Sequence, residues 1–200
     1  MDSMVLTFAE LGFLLRSNPP RHVSVGERLL LEEPSDAVVA AGLASLVVRG
    51  LCARDGEDVV PVPQIVAVAA GLSTARIAVR AAGKVGERPV VAHVFHGDEV
   101  VVALTPAEFG LFTVELLDRN VDLAEQLIRF VNACFVELGQ AAVVIQATGD
   151  RDVSLAVARD ESGAWFVSDT GESPDQGVPT SHDAVLARIT DLFGLVARAG

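Results

Sequence analysis

Tyrosine is absent from this chain of 200 residues, and lysine and arginine together number 15 against 27 aspartates and glutamates. The net charge of −12 and pI near 4.6 argue against a protein that grips a phosphate backbone, which needs clustered cations. Cysteine is nearly absent too. Cys52 and Cys134 stand far apart with no second cysteine near either, which excludes a CxxC zinc or redox pattern and a disulfide framework. Both read as small buried thiols in apolar helical surroundings. Long apolar runs are missing: the longest, VPVPQIVAVAAGL, is broken by Pro61, Pro63 and Gln64 and falls short of the ~18 residues of a membrane span. The opening MDSMVLTFAELG carries Asp and Glu where a secretory leader would carry cations. These features predict a cytoplasmic protein. The richness in Ala, Val and Arg over Lys, with no Tyr, is the composition of a high-GC genome.

Catalytic constellations are also lacking. His93 and His96 are the closest histidine pair, but three residues apart on a strand they point to opposite faces, and zinc wants three or four converging ligands. No GxSxG elbow is present. Ser181-His182-Asp183 are adjacent at a helix start, where they cannot converge on one another, so capping is the expected role. DGEDVV at 55–60 lacks calcium-loop spacing. GKVGER has glycine and lysine, but it lies between two strands rather than between a strand and a helix. The chain is therefore expected to have no catalytic residue, no metal site and no cofactor.

What is present is a repeat. Residues 75–118 read as three strands, ARIAVRAA, RPVVAHVFH and EVVVALT, followed by a helix, PAEFGLFTVELLD. Residues 141–198 read the same way: AAVVIQATG, DVSLAVAR and AWFVSD, a polar Gly/Pro loop expected to be mobile, then SHDAVLARITDLFGLVAR. Thr105-Pro106-Ala107-Glu108 supplies the helix-opening signal in the first copy. The pattern predicts an α+β fold, a pseudo-twofold repeat of a βββα unit forming one antiparallel sheet packed with helices. It forms a single domain, with halves at about residues 1–118 and 119–200. Residues 121–138 show the strongest helical stripe, with Leu127, Phe130 and Cys134 expected on the sheet.

An N-terminal helical segment precedes the repeat. Thr7-Phe-Ala-Glu10 is a capping-box pattern, Asn18-Pro19-Pro20 a stop, and Pro34-Ser35-Asp36 a second helix start. VSVGERLLLEEP fits either a short strand or a turn of helix. VPVPQIVAVAAGL predicts a short helix closed by Gly71. LASLVVRGLCARDG looks like the third helix and wing of a winged-helix domain. That supports an alternative reading, a transcriptional regulator with a C-terminal ligand-binding or dimerisation part. The acidic balance weighs against it.

The layout of residues 35–198 resembles the EspG family of type VII (ESX) secretion-associated proteins. The resemblance rests on LASLVVRGLCARDG, then ARIAVRAAGKVGERPVVAHVFHGDEVVVALTP, then the closing SLAVARDESGAWFVSD and SHDAVLARITDLFGLV. It implies a pseudo-twofold α/β fold and a cytosolic chaperone that binds the helical tip of PE–PPE substrate heterodimers. Members of the family are appreciably longer, and none of their binding residues carries over to a position here. The expected function is a non-enzymatic binding protein with a protein partner, a helical secretion substrate, and with neither nucleic acid nor membrane. On one face of the first sheet strand, Arg76 and Arg80 stand among small residues such as Ala78; with the AAGKVGE loop they are the expected partner contacts.

Overall fold

In the computed structural model, strand β1 (Met4–Thr7) runs directly into helix α1 (Phe8–Ser17). The structure describes residues 3–29, 31–56, 58–85, 88–120, 122–136, 141–149, 152–169 and 177–196. Thr7 makes the capping box that the spacing predicts. Its Oγ1 accepts the Glu10 N–H at 3.1 Å, and the Glu10 carboxylate accepts the Thr7 N–H at 2.7 Å. Asn18 closes the helix with an N–H bond to the Leu14 carbonyl. The ambiguous stretch resolves as one turn of helix, α2 (Val25–Arg28), and α3 (Asp36–Val48) opens under a cap in which Ser35 Oγ accepts the Val38 N–H.

A small hairpin follows, β2 (Cys52–Asp55) with β3 (Asp58–Pro61), and Gly56 at φ 64° supplies its turn. Cys52 thus lies on a strand rather than in a helix. Helix α4 (Pro63–Ser73) passes through Gly71 instead of stopping there. A Cβ at Gly71 would stand 2.5 Å from Val102 Cγ2, so this glycine serves close helix–strand approach rather than helix termination.

Four strands come next: β4 (Ile77–Val85), β5 (Arg88–His96), β6 (Val100–Ala107) and β7 (Leu111–Asp118). The helix expected over 105–118 is therefore a strand. The Thr-Pro-Ala-Glu signal is overridden because β6 continues to Ala107 and pairs antiparallel with β7 from Val100↔Asp118 to Ala107↔Leu111. Leu111–Asp118 alternates, with Phe112 and Val114 buried and Glu115 exposed. Phe109 and Gly110, both at positive φ, turn the chain between the strands.

The second half runs α5 (Leu123–Cys134), β8 (Ala141–Thr148), β9 (Val153–Arg159), β10 (Trp165–Ser168), β11 (Val178–Thr180) and α6 (His182–Val196). α5 buries Leu127, Val131 and Cys134, while Phe130 is half-buried. The polar loop ends in β11, paired with β10; residues 170–176, most of the segment expected to be mobile, lie outside the described residues. The fold is α+β: the described residues form one antiparallel sheet of nine strands, in the order β1-β7-β6-β5-β4-β8-β9-β10-β11, and six helices. Beyond the six strands of the sequence pattern, the sheet gains β1 and β7 in the first half and β11 in the second.

The chain divides into two compact units, residues 1–78 with 93–119 and residues 79–92 with 120–200. In the first, Leu6, Leu11, Leu46, Ile65, Leu72, Phe95, Val102 and Leu104 form the core. In the second, Val143, Ile145, Leu155, Val157, Val185, Ile189 and Phe193 are fully buried.

Candidate functional site

In the second unit, the two faces of the strands differ sharply. A Cβ at Gly83 would meet Val143 Cγ2 at 2.9 Å and Cys134 Sγ at 3.0 Å, so the odd-numbered positions of β4 face α5. Side chains alternate along a strand. Arg80, Ala82 and Lys84 therefore face away from α5. The registers Ala142↔Ala158, Val144↔Ala156 and Gln146↔Ser154, with Phe166↔Ala158 on the next strand, carry the same face across the unit. Ala142, Gln146 and Lys84 are exposed, and Arg80, Ala82, Val144, Ala158 and Phe166 are half-buried.

Among the described residues α5 packs on the opposite face, and this one is made mostly of small side chains. Four strands spaced ~4.8 Å apart give it a width of roughly 15 Å, enough for an α-helix of ~10–12 Å diameter. Two cations, Arg80 and Lys84, the one lysine of the chain, stand on β4. Ser154 Oγ is buried there with no hydrogen-bond partner among the described residues. Alternation along β4 is the signal that would have added Lys84 to Arg80 in the sequence; Val144, Gln146 and Phe166 join that face only through the strand register.

Arg76 lies in the first unit, just before β4. Its Nε donates to Asp98 Oδ1 at 3.1 Å and its backbone N–H to the His96 carbonyl, while the side chain stays 54 % exposed. Ala78, expected beside it as a small surface residue, is buried in the core of that unit. Of the AAGKVGE loop, residues 81–85 continue β4, and residues 86 and 87 lie outside the described residues.

The other candidates have structural surroundings. His93 is buried and lies nearly parallel to Phe95. Burial, helped by the charge of Arg119, pushes the pKa of half-buried His96 down. Among the described residues no three His, Cys, Asp or Glu side chains gather as a metal-holding cluster. Both thiols are free and buried, and burial pushes both up. Ser181 Oγ accepts the Ala184 N–H, as a cap does. His182 instead bonds Asn132 Oδ1 at 3.1 Å and leans on Trp165, which also meets Phe135 and the Arg159 guanidinium. Asp55 and Asp58 pair across the β2–β3 hairpin, and Glu57 lies outside the described residues.

Three helices followed by a hairpin do reproduce the order of a winged helix. The exposed positions of α3, however, are Asp36, Ala37, Ala40, Ala41, Ala44 and Val48. Arg49, at its end, turns inward to Glu10. No cation faces outward from α3 to meet phosphate. No described helix is long and apolar enough to cross a membrane.

Neither a protein-family model nor a curated protein sequence matches this chain. Among solved structures, the fold is similar to that of the Mycobacterium tuberculosis type VII secretion system chaperone EspG5, solved in complex with a PE25–PPE41 dimer. The TM-score is 0.55 and the sequence identity 12 %, over 83 % of this chain and 86 % of the other. At that identity the likeness is one of fold: this chain has an EspG-like architecture.

Proposed function

We propose that the chain is a non-enzymatic cytoplasmic binding protein, a chaperone or adaptor that receives a helical protein substrate of the type VII secretion class. The observation that carries this reading is the face of the second unit opposite α5. Ala82, Ala142 and Ala158 let a partner helix approach the strands closely, and Val144 and Phe166 supply apolar contact. Arg80 and Lys84 stand at its β4 edge for carboxylates of the partner. The similarity in fold to a chaperone solved with a PE–PPE dimer supports the choice of partner. A chaperone needs a complementary surface rather than a constellation of acid, base and nucleophile.

The test is reconstitution with PE–PPE heterodimers of the same host, followed by light scattering. The expected result is a complex holding one copy of each chain. Ala142→Arg and Ala158→Arg, which place long side chains on the face, should abolish it while the variants stay folded. Folded variants that assemble as well as the parent would overturn the reading. A DNA-binding role has only the element order of α1–β3 in its favour, and the outward face of α3 opposes it.

A further inference from the structure

A second surface lies wholly within the first unit. Phe8, Gly12, Leu15 and Arg16 of α1 face Pro20, Gly26, Leu31 and Pro34 across a groove of about 470 Å³. Its floor is fixed, because Pro34 packs on Gly12 so closely that a Cβ there would lie 3.1 Å from Pro34 Cγ. Its rim is acidic: Glu27, Glu32 and Glu33 line it against the single guanidinium of Arg16. Arg16 reaches Glu33 and Asp36 at 3.5 Å each, in exposed pairs, and its one positive charge leaves the rim net negative.

At the Phe8 end stands the β6–β7 turn. A Cβ on Gly110 would lie 3.8 Å from Phe8 Cβ, and the adjacent Phe109 is 94 % exposed at φ 61°. An aromatic residue in the left-handed region is an outlier that costs energy, and a ring so exposed recovers none of it by packing. Exposed aromatic side chains beside apolar grooves are the anchors of protein interfaces.

We propose that this groove, with Phe109 at its end, docks a basic amphipathic segment of a partner protein. Apolar side chains would enter between Phe8, Leu15 and Leu31, and Lys or Arg would meet Glu27, Glu32 and Glu33. The groove is independent of the open face of the second unit, and its failure leaves the chaperone reading standing.

The probe is a short fluorescein-labelled helical peptide of leucine and lysine, read by anisotropy against full-length protein. A peptide of the same pattern in leucine and glutamate is the charge control. Gly26→Met fills the groove from a position where an added Cβ meets nothing within 4 Å, so the fold is preserved. Glu32→Lys with Glu33→Lys reverses the rim, and Phe109→Ser removes the anchor. Each should weaken the lysine peptide about tenfold or more, whereas Glu161→Lys, exposed on the second unit, should leave it unchanged. No binding of the lysine peptide, equal binding of the glutamate peptide, equal loss with Glu161→Lys, or undiminished binding by Gly26→Met would each overturn the proposal.

Discussion

Arg49 holds a fully buried carboxylate: its Nη1 donates to Glu10 Oε1 at 2.9 Å and Oε2 at 2.7 Å, while Nη2 donates to the Val5 carbonyl at 2.8 Å. Ser45 Oγ donates to the same carboxylate at 2.7 Å, and Thr7 N–H completes the set. One side chain thus ties β1, the start of α1 and the end of α3 together. Burial alone would raise the Glu10 pKa. The bonds from Thr7, Ser45 and Arg49 outweigh it and hold the carboxyl below its ordinary 4.5. Because Arg49 is 39 % exposed, the pair is partly screened. Glu10→Gln should cost about 2 kcal/mol, lowering Tm by roughly 4–8 °C for a chain of this size.

The pH dependence follows from the direction of that shift. A depressed pKa in the folded state contributes stability at neutral pH that fades as pH falls through the ordinary carboxylate range and then through the folded value. The stability gap between the parent and Glu10→Gln, measured by urea unfolding, should be largest near neutral pH and shrink below pH 4.5. A gap that widens on acidification would contradict this account.

Glycines should differ greatly in tolerance. A Cβ at Gly42 would stand 2.0 Å from the Ala9 carbonyl oxygen, so α3 and α1 must separate to admit it. Gly42→Ala should destabilise by about 3 kcal/mol or more. Gly26→Ala, in α2 and facing open space, should be neutral or stabilise by about 0.5–1 kcal/mol through helix propensity. Paired thermal melts decide it.

Charge reversal on the open face should separate binding from folding. Arg80→Glu with Lys84→Glu should reduce capture of a PE–PPE partner about tenfold or more, with Tm within a few degrees of the parent. Arg76→Glu also breaks the pair with Asp98, an exposed interaction worth about 1 kcal/mol or less. Unfolding of either variant would make the residues it changes structural.

Duplex DNA should not shift with this protein at physiological salt. The motive is the outward face of α3, apolar apart from Asp36, on a chain of net charge −12. A salt-sensitive gel shift with sub-micromolar affinity would reinstate the winged-helix reading.

Local signals were the legible part of the sequence. Thr7 and Glu10, Ser35 and Ser181 announce themselves by bonds to near neighbours. The 105–118 segment misled because its capping signal is local, while β7 is held by partners far along the chain, β1 and β6. β1 and β11 are too short to alternate visibly. Arg80 could be picked from one strand, but the rest of its face comes from β8, β9 and β10, and the register that assembles them is tertiary. Phe109 gave no signal at all, since a lone phenylalanine after Glu108 reads as helix or core until its φ is known.

Trp165 is the sole tryptophan of a chain without tyrosine, and it stands in the second unit against Phe135 and His182. Nature has therefore labelled one unit and left the other dark. Indole emission follows the melting of residues around β10, whereas far-ultraviolet circular dichroism sums helices and strands from both units. The two signals, recorded on one unmodified sample, tell directly whether the halves of this molecule come apart as one body or in succession.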